Sequence, residues 1–510
     1  MVGQVVDQVV GTFMKPTGSR PGVMYGVCKV HKDVDNAGET PPFRPILSAI
    51  GTCTYNMAKF FVPLLKAFTL NEFTIEDSFS FADEIVKQNP ELYMTSFDIK
   101  SLFTNIPLDE TISISVDKLY HRKKKVKGML KRHCKDLLTL ATKSSCFVFN
   151  NKYYTQLDGV AMGSPLGPTF ANVFLSHHEV SWLEKCPAQF KPAYYRRYVD
   201  DVIVLFRSKD HVKKFLKYMN TRHPNIEFTH EEEKDGSLSF LDVTVTRTDD
   251  KFVTSIYRKK TFSGVYLNFK SFLPNSYKQG LLFTLLFRAY KISSDYSKLH
   301  EEIETLKSIW QKNKFPLFFI DKCIFKFLDK IFITKKVNDV VKNKKDVVMS
   351  LTYLGKISIE LKKRLRNAFR LHCPEVNLKV VFRSPNRLIN GFSFKDVLMK
   401  DINSLVLYNY TCGICKETYI GKTKRHFIVR ANEHLGISVL THNNYSYNEN
   451  NATAVRKHIH DNNHPCSRDN FQIIGNSKND YYLQIKESIL INIMKPSLNV
   501  ATESMPLYLF

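Results

Sequence analysis

The segment YRRYVDDVIVLF, from Tyr195 to Phe206, places two adjacent carboxylates inside a strongly apolar stretch. Its β-branched residues and flanking aromatic rings favour a β-strand that buries at least one face. A buried carboxylate is costly unless another charge compensates it. Asp200 and Asp201 therefore require either the exposed turn of a β-hairpin or a bound cation, and the pair taken alone fits the turn.

A third carboxylate and a Gly/Pro-rich loop precede this segment. In MTSFDIKSLFTNIPLDETI, Asp98 ends a short apolar strand, and QLDGVAMGSPLGPTFANVFL follows before the Asp pair. Nucleotidyl transfer requires carboxylates from separate strands that converge on two divalent cations, which would compensate Asp200 and Asp201. Gly163 and Ser164 would let a base pair and its sugar approach the backbone closely. A loop that merely caps the following helix fits the same residues.

The overall composition narrows the choice of partners. The 510 residues include 74 Lys and Arg against 49 Asp and Glu, a formal net charge of +25. Such an excess favours a polyanion, either nucleic acid or an anionic membrane surface. The sequence has no apolar run of membrane-spanning length and no signal-peptide pattern, so its ten cysteines are expected to be intracellular thiols or metal ligands. The length predicts roughly two to four domains.

The motifs SFDIKSLFTNIP, GVAMGSPLGPTFANVFL and RYVDD resemble the palm motifs of reverse transcriptases. The residues of these motifs are similar to those of Penelope-like retroelements, which are relatives of telomerase catalytic subunits. The similarity includes YGVCKVHK upstream and LSFLDVTVTR downstream. The resemblance implies a right-hand polymerase with partial fingers in 1–90, a palm in 91–250 and a mostly helical thumb in 251–345. Because little sequence precedes YGVCKVHK, we expect an N-terminally truncated copy.

The resemblance also implies roles for individual residues. It assigns two Mg²⁺ or Mn²⁺ ions to the carboxylates of Asp98, Asp200 and Asp201. Phe103, five residues after Asp98, would exclude a ribose 2′-hydroxyl and so select dNTPs. Lys29 and Arg44 would hold the incoming triphosphate. The basic segment after residue 250 would grip the template–product backbone.

The segment 346–400 is expected to be a linker or connector. Within it VVMSLTY and LKVVFRS favour strands, and ISIELKKRLRNAFRLH favours a helix. The helical period places one apolar set on a single face: Leu361, Leu365, Ala368 and Phe369. The basic residues off that face are typical of solvated surface, and a nucleic-acid contact is the alternative.

The C-terminal segment 401–510 resembles GIY-YIG endonucleases in the form found at the C-termini of Penelope-like elements. The first motif is degenerate, Val406-Leu407-Tyr408, whereas Tyr419-Ile420-Gly421 is intact. The resemblance implies the following set: Tyr408 or Tyr419 as base or water positioner, Arg430 as the phosphate-stabilising cation, His434 assisting, Glu487 as ligand of a catalytic Mg²⁺, and Asn499 in the substrate site. Outside this ordered set, a single glutamate on a helix is typical of a solvated face.

The pair Cys412 and Cys415 has the Cys-x-x-Cys spacing that holds one zinc ion. The segment KHIHDNNHPC offers the remaining ligands, and we expect His458 and His464, with His460 as second choice. Two ordinary core cysteines in a strand hairpin are the alternative. The zinc is expected to be structural and separate from the catalytic metal.

Together these motifs predict a multidomain α+β chain, a polymerase followed by a small α/β GIY-YIG nuclease domain. The implied mechanism is target-primed reverse transcription, in which a nick in DNA primes the copying of RNA. The expected partners are an RNA template, a DNA target or primer and dNTPs, with no membrane, and the expected location is the nucleus. The alternative is a decayed or co-opted copy that binds nucleic acid through its charge without catalysis.

Overall fold

The computed structural model describes residues 14–16, 20–29, 42–333, 345–384, 392, 398–438, 441, 443–477 and 479–499. The strands are β1 (Gly22–Cys28), β2 (Phe43–Ser48), β3 (Tyr93–Ile99), β4 (Cys146–Phe149), β5 (Lys152–Thr155), β6 (Tyr194–Tyr198), β7 (Asp201–Phe206), β8 (Phe228–Glu232), β9 (Ser237–Phe240), β10 (Val243–Arg247), β11 (Phe252–Ile256), β12 (Lys345–Thr352), β13 (Val376–Arg383), β14 (Val406–Thr411), β15 (Thr418–Thr423) and β16 (Phe471–Asn476). The α-helices are α1 (Tyr55–Leu65), α2 (Ser78–Ile85), α3 (Leu102–Asn105), α4 (Leu108–Tyr120), α5 (Lys131–Lys143), α6 (Gly167–Glu184), α7 (Asp210–Met219), α8 (Asn275–Ile292), α9 (Tyr296–Lys312), α10 (Leu317–Leu328), α11 (Lys356–His372), α12 (Phe427–Leu435), α13 (Ala454–Asp461) and α14 (Asp480–Met494).

The central sheet has the strand order β6-β7-β3-β8, and every neighbouring pair is antiparallel. Successive side chains of β7 point to opposite faces of this sheet. Val202, Val204 and Phe206 enter one hydrophobic core, while Ile203 and Leu205 enter another. Both faces are covered, which explains why β7 is an uninterrupted apolar run instead of an alternating one.

Strands β6 and β7 form the expected hairpin. Tyr198 pairs with Asp201, so Val199 and Asp200 are its two-residue turn. Val199 has φ of +56°, in the left-handed region that a β-branched residue adopts only under strain. Such a conformation persists where the surrounding structure holds it in place.

Two other sheets contain strands from ranges that were expected to form separate domains. The N-terminal strands β1 and β2 belong to a four-stranded sheet of order β2-β1-β4-β5, in which β1 pairs in parallel with β4. Strands from the range expected for the fingers therefore share a sheet with two strands from the range expected for the palm. Similarly, β10 and β11 pair across the boundary expected at residue 250.

The segment after β11 is mostly helical, as expected. Helices α8, α9 and α10 share a core that contains Leu286, Leu306, Trp310 and Ile320. Among the described residues, none of the helices has both the length and the apolar character needed to cross a bilayer.

Strands β12 and β13 pair in parallel and are joined by helix α11, so the expected connector contains a folded βαβ unit. The expected helical face is only half right. Leu365 and Phe369 pack against the sheet, whereas Leu361 is exposed and Ala368 faces solvent. A two-stranded sheet covers only a narrow strip of the helix. Part of the expected connector, 385–391 and 393–397, lies outside the described residues.

The C-terminal segment forms an antiparallel sheet of order β15-β14-β16 with helices α12, α13 and α14. Its core contains Tyr408, Tyr410, Phe427, Val455 and Phe471. The two tyrosine motifs lie on the paired strands β14 and β15, with Tyr408 opposite Gly421.

Candidate functional site

The three expected carboxylates lie at one end of the central sheet. Asp98 on β3 pairs directly with Asp201 on β7, and directly opposed residues share a face of an antiparallel sheet. Asp200 occupies the adjoining turn, where its carbonyl oxygen accepts a hydrogen bond of 3.2 Å from the Ile99 N–H. Burial, followed by the charges of Asp200 and Asp98, raises the pKa of Asp201 to about 6. Like charges held this close are typical of a site that receives cations.

Two further charged groups act on this site and were not anticipated from the sequence. Lys259, just after β11, lowers the pKa of Asp201, and Glu231 on β8 raises it. Glu231 lies opposite Ser96, on the other neighbour of β3. Both residues are distant from the three aspartates in sequence, and the pairing of β8 with β3 brings Glu231 near them.

The Gly/Pro-rich loop packs closely against the backbone of β2 at Gly163. Gly163 has φ of +124°, and a Cβ built on it would lie 2.2 Å from the Leu47 carbonyl oxygen. The Leu47 N–H also donates to the Met162 carbonyl at 2.7 Å. The glycine thus allows β2 to dock against the loop. Ser164 follows directly, and its N–H donates to the Ala161 carbonyl at 3.0 Å.

Phe103 lies beside the same loop. Its carbonyl oxygen accepts a hydrogen bond of 2.6 Å from the Val160 N–H, and its ring is half-buried against the central core. The two expected triphosphate-binding residues lie at one end of the β1–β2 pair. Arg44 on β2 is exposed opposite Val27, and the Lys29 N–H, just after β1, donates to the Pro42 carbonyl at 2.8 Å. The last three residues of YGVCKVHK lie outside the described residues.

In the C-terminal segment, Tyr408 is buried and its hydroxyl joins two of the expected residues. The hydroxyl lies 2.8 Å from His434 Nε2 and accepts a 3.0 Å hydrogen bond from Arg430 Nε. His434 Nδ1 lies 2.7 Å from Thr453 Oγ1, at the start of α13. Burial and the charge of Arg430 lower the pKa of His434 to about 3, so its imidazole is neutral at pH 7.

The second tyrosine motif surrounds this cluster. The ring of Tyr419 lies 6.4 Å from that of Tyr408. A Cβ built on Gly421 would lie 2.5 Å from the Tyr408 hydroxyl oxygen and 2.7 Å from the Tyr419 ring. Glycine is therefore required for both tyrosines to pack here.

Glu487 and Asn499 reach the same strands from the C-terminal side. Burial raises the pKa of Glu487 to about 7, against the opposing charges of Lys422 and Arg430. The Asn499 side-chain amide makes two hydrogen bonds to the backbone of Ile420 in the intact motif. Its Oδ1 accepts from the Ile420 N–H, and its Nδ2 donates to the Ile420 carbonyl, both at 2.8 Å. The structure thus brings the ordered set of motif residues into one region.

Cys412, Cys415, His458 and His464 form a compact cluster whose ligand atoms all lie within 4.8 Å of one another. Each thiol lies close to one imidazole: Cys412 Sγ is 3.4 Å from His464 Nδ1, and Cys415 Sγ is 3.4 Å from His458 Nε2. Although burial opposes it, hydrogen bonds from His458 and nearby backbone N–H groups lower the pKa of Cys412 to about 5, which favours the thiolate. Two thiolates and two imidazoles are a donor set that suits zinc.

A residue outside the motifs supports this cluster. Glu417 Oε2 lies 3.1 Å from the outer nitrogen of His458, Nδ1. A carboxylate there fixes the histidine tautomer and orients Nε2 toward a metal. The second-choice ligand His460 lies elsewhere, since its ring stacks on Tyr447 with centroids 3.7 Å apart.

Comparison with known proteins gives family matches for two segments. The reverse transcriptase (RNA-dependent DNA polymerase) family matches residues 36–239, and the animal helix-turn-helix domain family matches residues 265–325. The first match gives the chain a reverse transcriptase domain that contains β3, the Gly/Pro-rich loop and the β6–β7 hairpin. The second covers α8, α9 and most of α10, where the sequence motifs indicated only a mostly helical thumb. None of the curated proteins compared with the chain matches it.

Solved structures with a similar fold include telomerase from Candida albicans in complex with a telomeric RNA fragment, at 11% identity and a TM-score of 0.42, covering 61% of this chain and 59% of that one. The RNA-dependent RNA polymerase of bacteriophage phi12 is 13% identical with a TM-score of 0.37, covering 70% and 59%. The Sicinivirus RNA-dependent RNA polymerase is 12% identical with a TM-score of 0.38, covering 63% and 71%. The chain thus spans less than two thirds of the telomerase structure's length.

Replacing Gly421 with alanine is expected to lower the free energy of unfolding by about 2 kcal/mol, because the added methyl group overlaps the Tyr408 hydroxyl. Gly475→Ala, on β16 of the same sheet, is the matched control, since its Cβ would make only an ordinary contact, 3.7 Å from Leu407. Urea denaturation followed by circular dichroism measures the difference. Equal transition midpoints for the two variants would contradict the packing described for Gly421.

Proposed function

We propose, from the premise that residues 36–239 form a reverse transcriptase domain, that the chain is an RNA-directed DNA polymerase. The observation that carries the proposal is the placement of Asp98 and Asp201 as direct cross-strand partners with Asp200 in the adjoining turn. Burial, and then the like charges of Asp200 and Asp98, raise the pKa of Asp201, which indicates a site that is completed by cations.

The carboxylates of Asp98, Asp200 and Asp201 would hold two Mg²⁺ or Mn²⁺ ions. When bound, such ions activate a primer 3′-hydroxyl and neutralise the triphosphate of the incoming nucleotide. Phe103 lies beside the loop of Gly163, where its ring would restrict the pocket to a 2′-deoxyribose. The basic helical segment after β11 would contact the backbone of an RNA–DNA duplex.

We further propose that residues 401–499 act as a GIY-YIG endonuclease that nicks DNA to prime this synthesis. Support comes from the convergence of Tyr408, His434 and Arg430 near Glu487. Arg430 donates to the Tyr408 oxygen, so the phenol proton is directed to His434 Nε2. In this arrangement, the Tyr408 oxygen can accept a hydrogen bond from the attacking water and position it for the phosphate.

Arg430 and Glu487 are the remaining groups of the proposed nuclease site. Arg430 would stabilise the charge that develops on the cleaved phosphate. Glu487 would hold a catalytic Mg²⁺, because its raised pKa indicates a carboxylate that a cation would return to the charged form. The resulting 3′-hydroxyl would be extended on an RNA template, which corresponds to target-primed reverse transcription in the nucleus.

The Cys/His cluster would hold a structural zinc ion. Its four protein ligands would close the coordination sphere, so the zinc would stabilise the fold without binding substrate. The cluster joins the β14–β15 connection to helix α13 and the segment that follows it. Zinc would therefore add to the stability of the C-terminal segment.

Asp200→Asn is expected to lower primer extension on poly(rA)/oligo(dT) with Mg²⁺ or Mn²⁺ by at least about 100-fold, because the amide cannot replace a metal-binding carboxylate. Asp250→Asn, in an exposed surface turn, is the matched control and should extend primers at the wild-type rate. Equal background signals from wild type and Asp200→Asn would refute the polymerase proposal and leave a non-catalytic nucleic-acid-binding protein.

Glu487→Ala is expected to lower the nicking of supercoiled plasmid by at least about 100-fold, because the variant loses the proposed metal ligand. Agarose gel electrophoresis separates nicked from supercoiled product. Glu449→Ala, exposed in the same segment, serves as the control and should nick normally. Nicking that persists in Glu487→Ala would rule out this residue as the metal ligand.

Purified chain is expected to contain about one zinc ion, measured by inductively coupled plasma mass spectrometry. Cys412→Ser should lose it, whereas His460→Asn should retain it, since His460 stacks on Tyr447 outside the cluster. Glu417→Gln should weaken zinc binding by about 10-fold in a chelator competition, through loss of the contact to His458. Equal zinc loss from Cys412→Ser and His460→Asn would contradict the ligand set.

A further inference from the structure

Arg197 on β6 is buried, with only 1% of its side chain exposed. A guanidinium in such a position is costly unless a counter-ion and acceptors satisfy all five N–H groups. Every one of the five has an acceptor: Nε and Nη2 donate to Glu179 at 2.9 and 3.2 Å, Nη2 also to Ser176 Oγ at 3.1 Å, and Nη1 to Asn172 Oδ1 at 2.8 Å and to the Val199 carbonyl at 3.1 Å. The side chain is therefore locked in one orientation.

Three of the acceptors come from one face of α6. Asn172, Ser176 and Glu179 are spaced by four and three residues, so they form a polar stripe along one side of the helix. Glu179 also accepts hydrogen bonds from the Tyr195 hydroxyl at 2.8 Å and from Asn71 Nδ2 at 2.7 Å. This helix follows directly after the Gly/Pro-rich loop. The stripe thus connects the loop's helix to β6.

The remaining acceptor lies in the turn that carries Asp200. Val199, whose carbonyl Arg197 binds, has φ of +56°, a conformation that requires support from its surroundings. The next carbonyl, that of Asp200, accepts from the Ile99 N–H at 3.2 Å. The strained turn is consequently held at two successive peptide groups, by Arg197 and by Ile99.

Two hydrogen bonds also hold the backbone of Arg197. Its N–H donates to the Phe73 carbonyl at 2.8 Å, and its carbonyl accepts from the Ile75 N–H at 2.9 Å. The base of the side chain and its guanidinium are therefore both anchored. A displacement of the turn would have to break a buried hydrogen bond to a charged donor.

We propose that Arg197 is a positioning residue for the polymerase chemistry. By binding the Val199 carbonyl it holds the strained turn, and so keeps the Asp200 carboxylate beside Asp98 and Asp201 in an arrangement that binds divalent cations. The inference rests on the proposed polymerase function. It differs from a purely structural role because it predicts a loss of metal affinity that exceeds what the loss of stability explains.

The test measures Mn²⁺ binding to the full-length chain by electron paramagnetic resonance of the free ion. Asp98→Asn defines the component that belongs to the central carboxylates. Arg197→Lys keeps the charge opposite Glu179, but one ammonium cannot reproduce the planar fork that reaches both Glu179 and Val199. It is expected to weaken the Asp98-dependent Mn²⁺ binding by about 10-fold.

Two matched variants on α6 separate positioning from stability. Asn172→Ala removes a partner of Nη1, the nitrogen that holds the turn, and should weaken Mn²⁺ binding by about threefold. Ser176→Ala removes a partner of Nη2 and should bind Mn²⁺ as wild type does. Thermal denaturation of each variant gives its stability. If Arg197→Lys does not fold, the comparison of Asn172→Ala with Ser176→Ala decides the question.

The inference is overturned if Arg197→Lys and Asn172→Ala bind Mn²⁺ with wild-type affinity while their melting temperatures fall as that of Ser176→Ala does. Failure of the proposed polymerase function has a different signature. In that case, wild type and Asp98→Asn would bind Mn²⁺ identically, and the inference would fall with the function on which it rests.

Discussion

The antiparallel register of β3 and β7 is the constraint on which the candidate polymerase site depends. It sets Asp98 opposite Asp201 and leaves Asp200 in the turn next to them. A slip of one residue would reverse every side chain of β7 between the two faces of the sheet. Because apolar cores cover both faces, the alternate residues of β7 fill two cores of different shape. The packing that stabilises the sheet therefore also fixes the positions of the carboxylates.

The C-terminal segment shows the same dependence of chemistry on packing. Tyr408 reaches His434 and Arg430 because Gly421 has no side chain at the point where the tyrosine crosses β15. Helix α13 carries Thr453, which contacts His434, and also His458 of the Cys/His cluster. A zinc ion in the Cys/His cluster would fix α13 and would consequently orient the histidine beside Tyr408. The proposed zinc site and the proposed nuclease site therefore share this helix.

The division of the chain into parts is less linear than the motifs indicate. Strand β4 completes a sheet with β1, and β11 completes a sheet with β10, so neither pairing respects a boundary drawn along the sequence. Such boundaries were inferred from composition and motif position, which report on local preference. Strand pairing depends on backbone hydrogen bonds between distant segments, and these leave little trace in local composition. The βαβ unit in 345–383 illustrates the opposite case, because its strand, helix and strand are each recognisable locally.

The sequence by itself determined the elements whose signal is periodic or chemically rare. These include the apolar run of β7 that follows the carboxylate pair, the Cys-x-x-Cys pair with its two histidines, and the β6–β7 hairpin. Only the tertiary structure decided which residues support these groups: Arg197 behind the turn, Lys259 near Asp201, Glu417 behind His458 and Thr453 behind His434. The physical reason is that periodicity indicates which face of an element is buried, whereas the partner on that face comes from a segment distant in sequence. A buried arginine and an exposed one look alike until the glutamate that compensates it is in place.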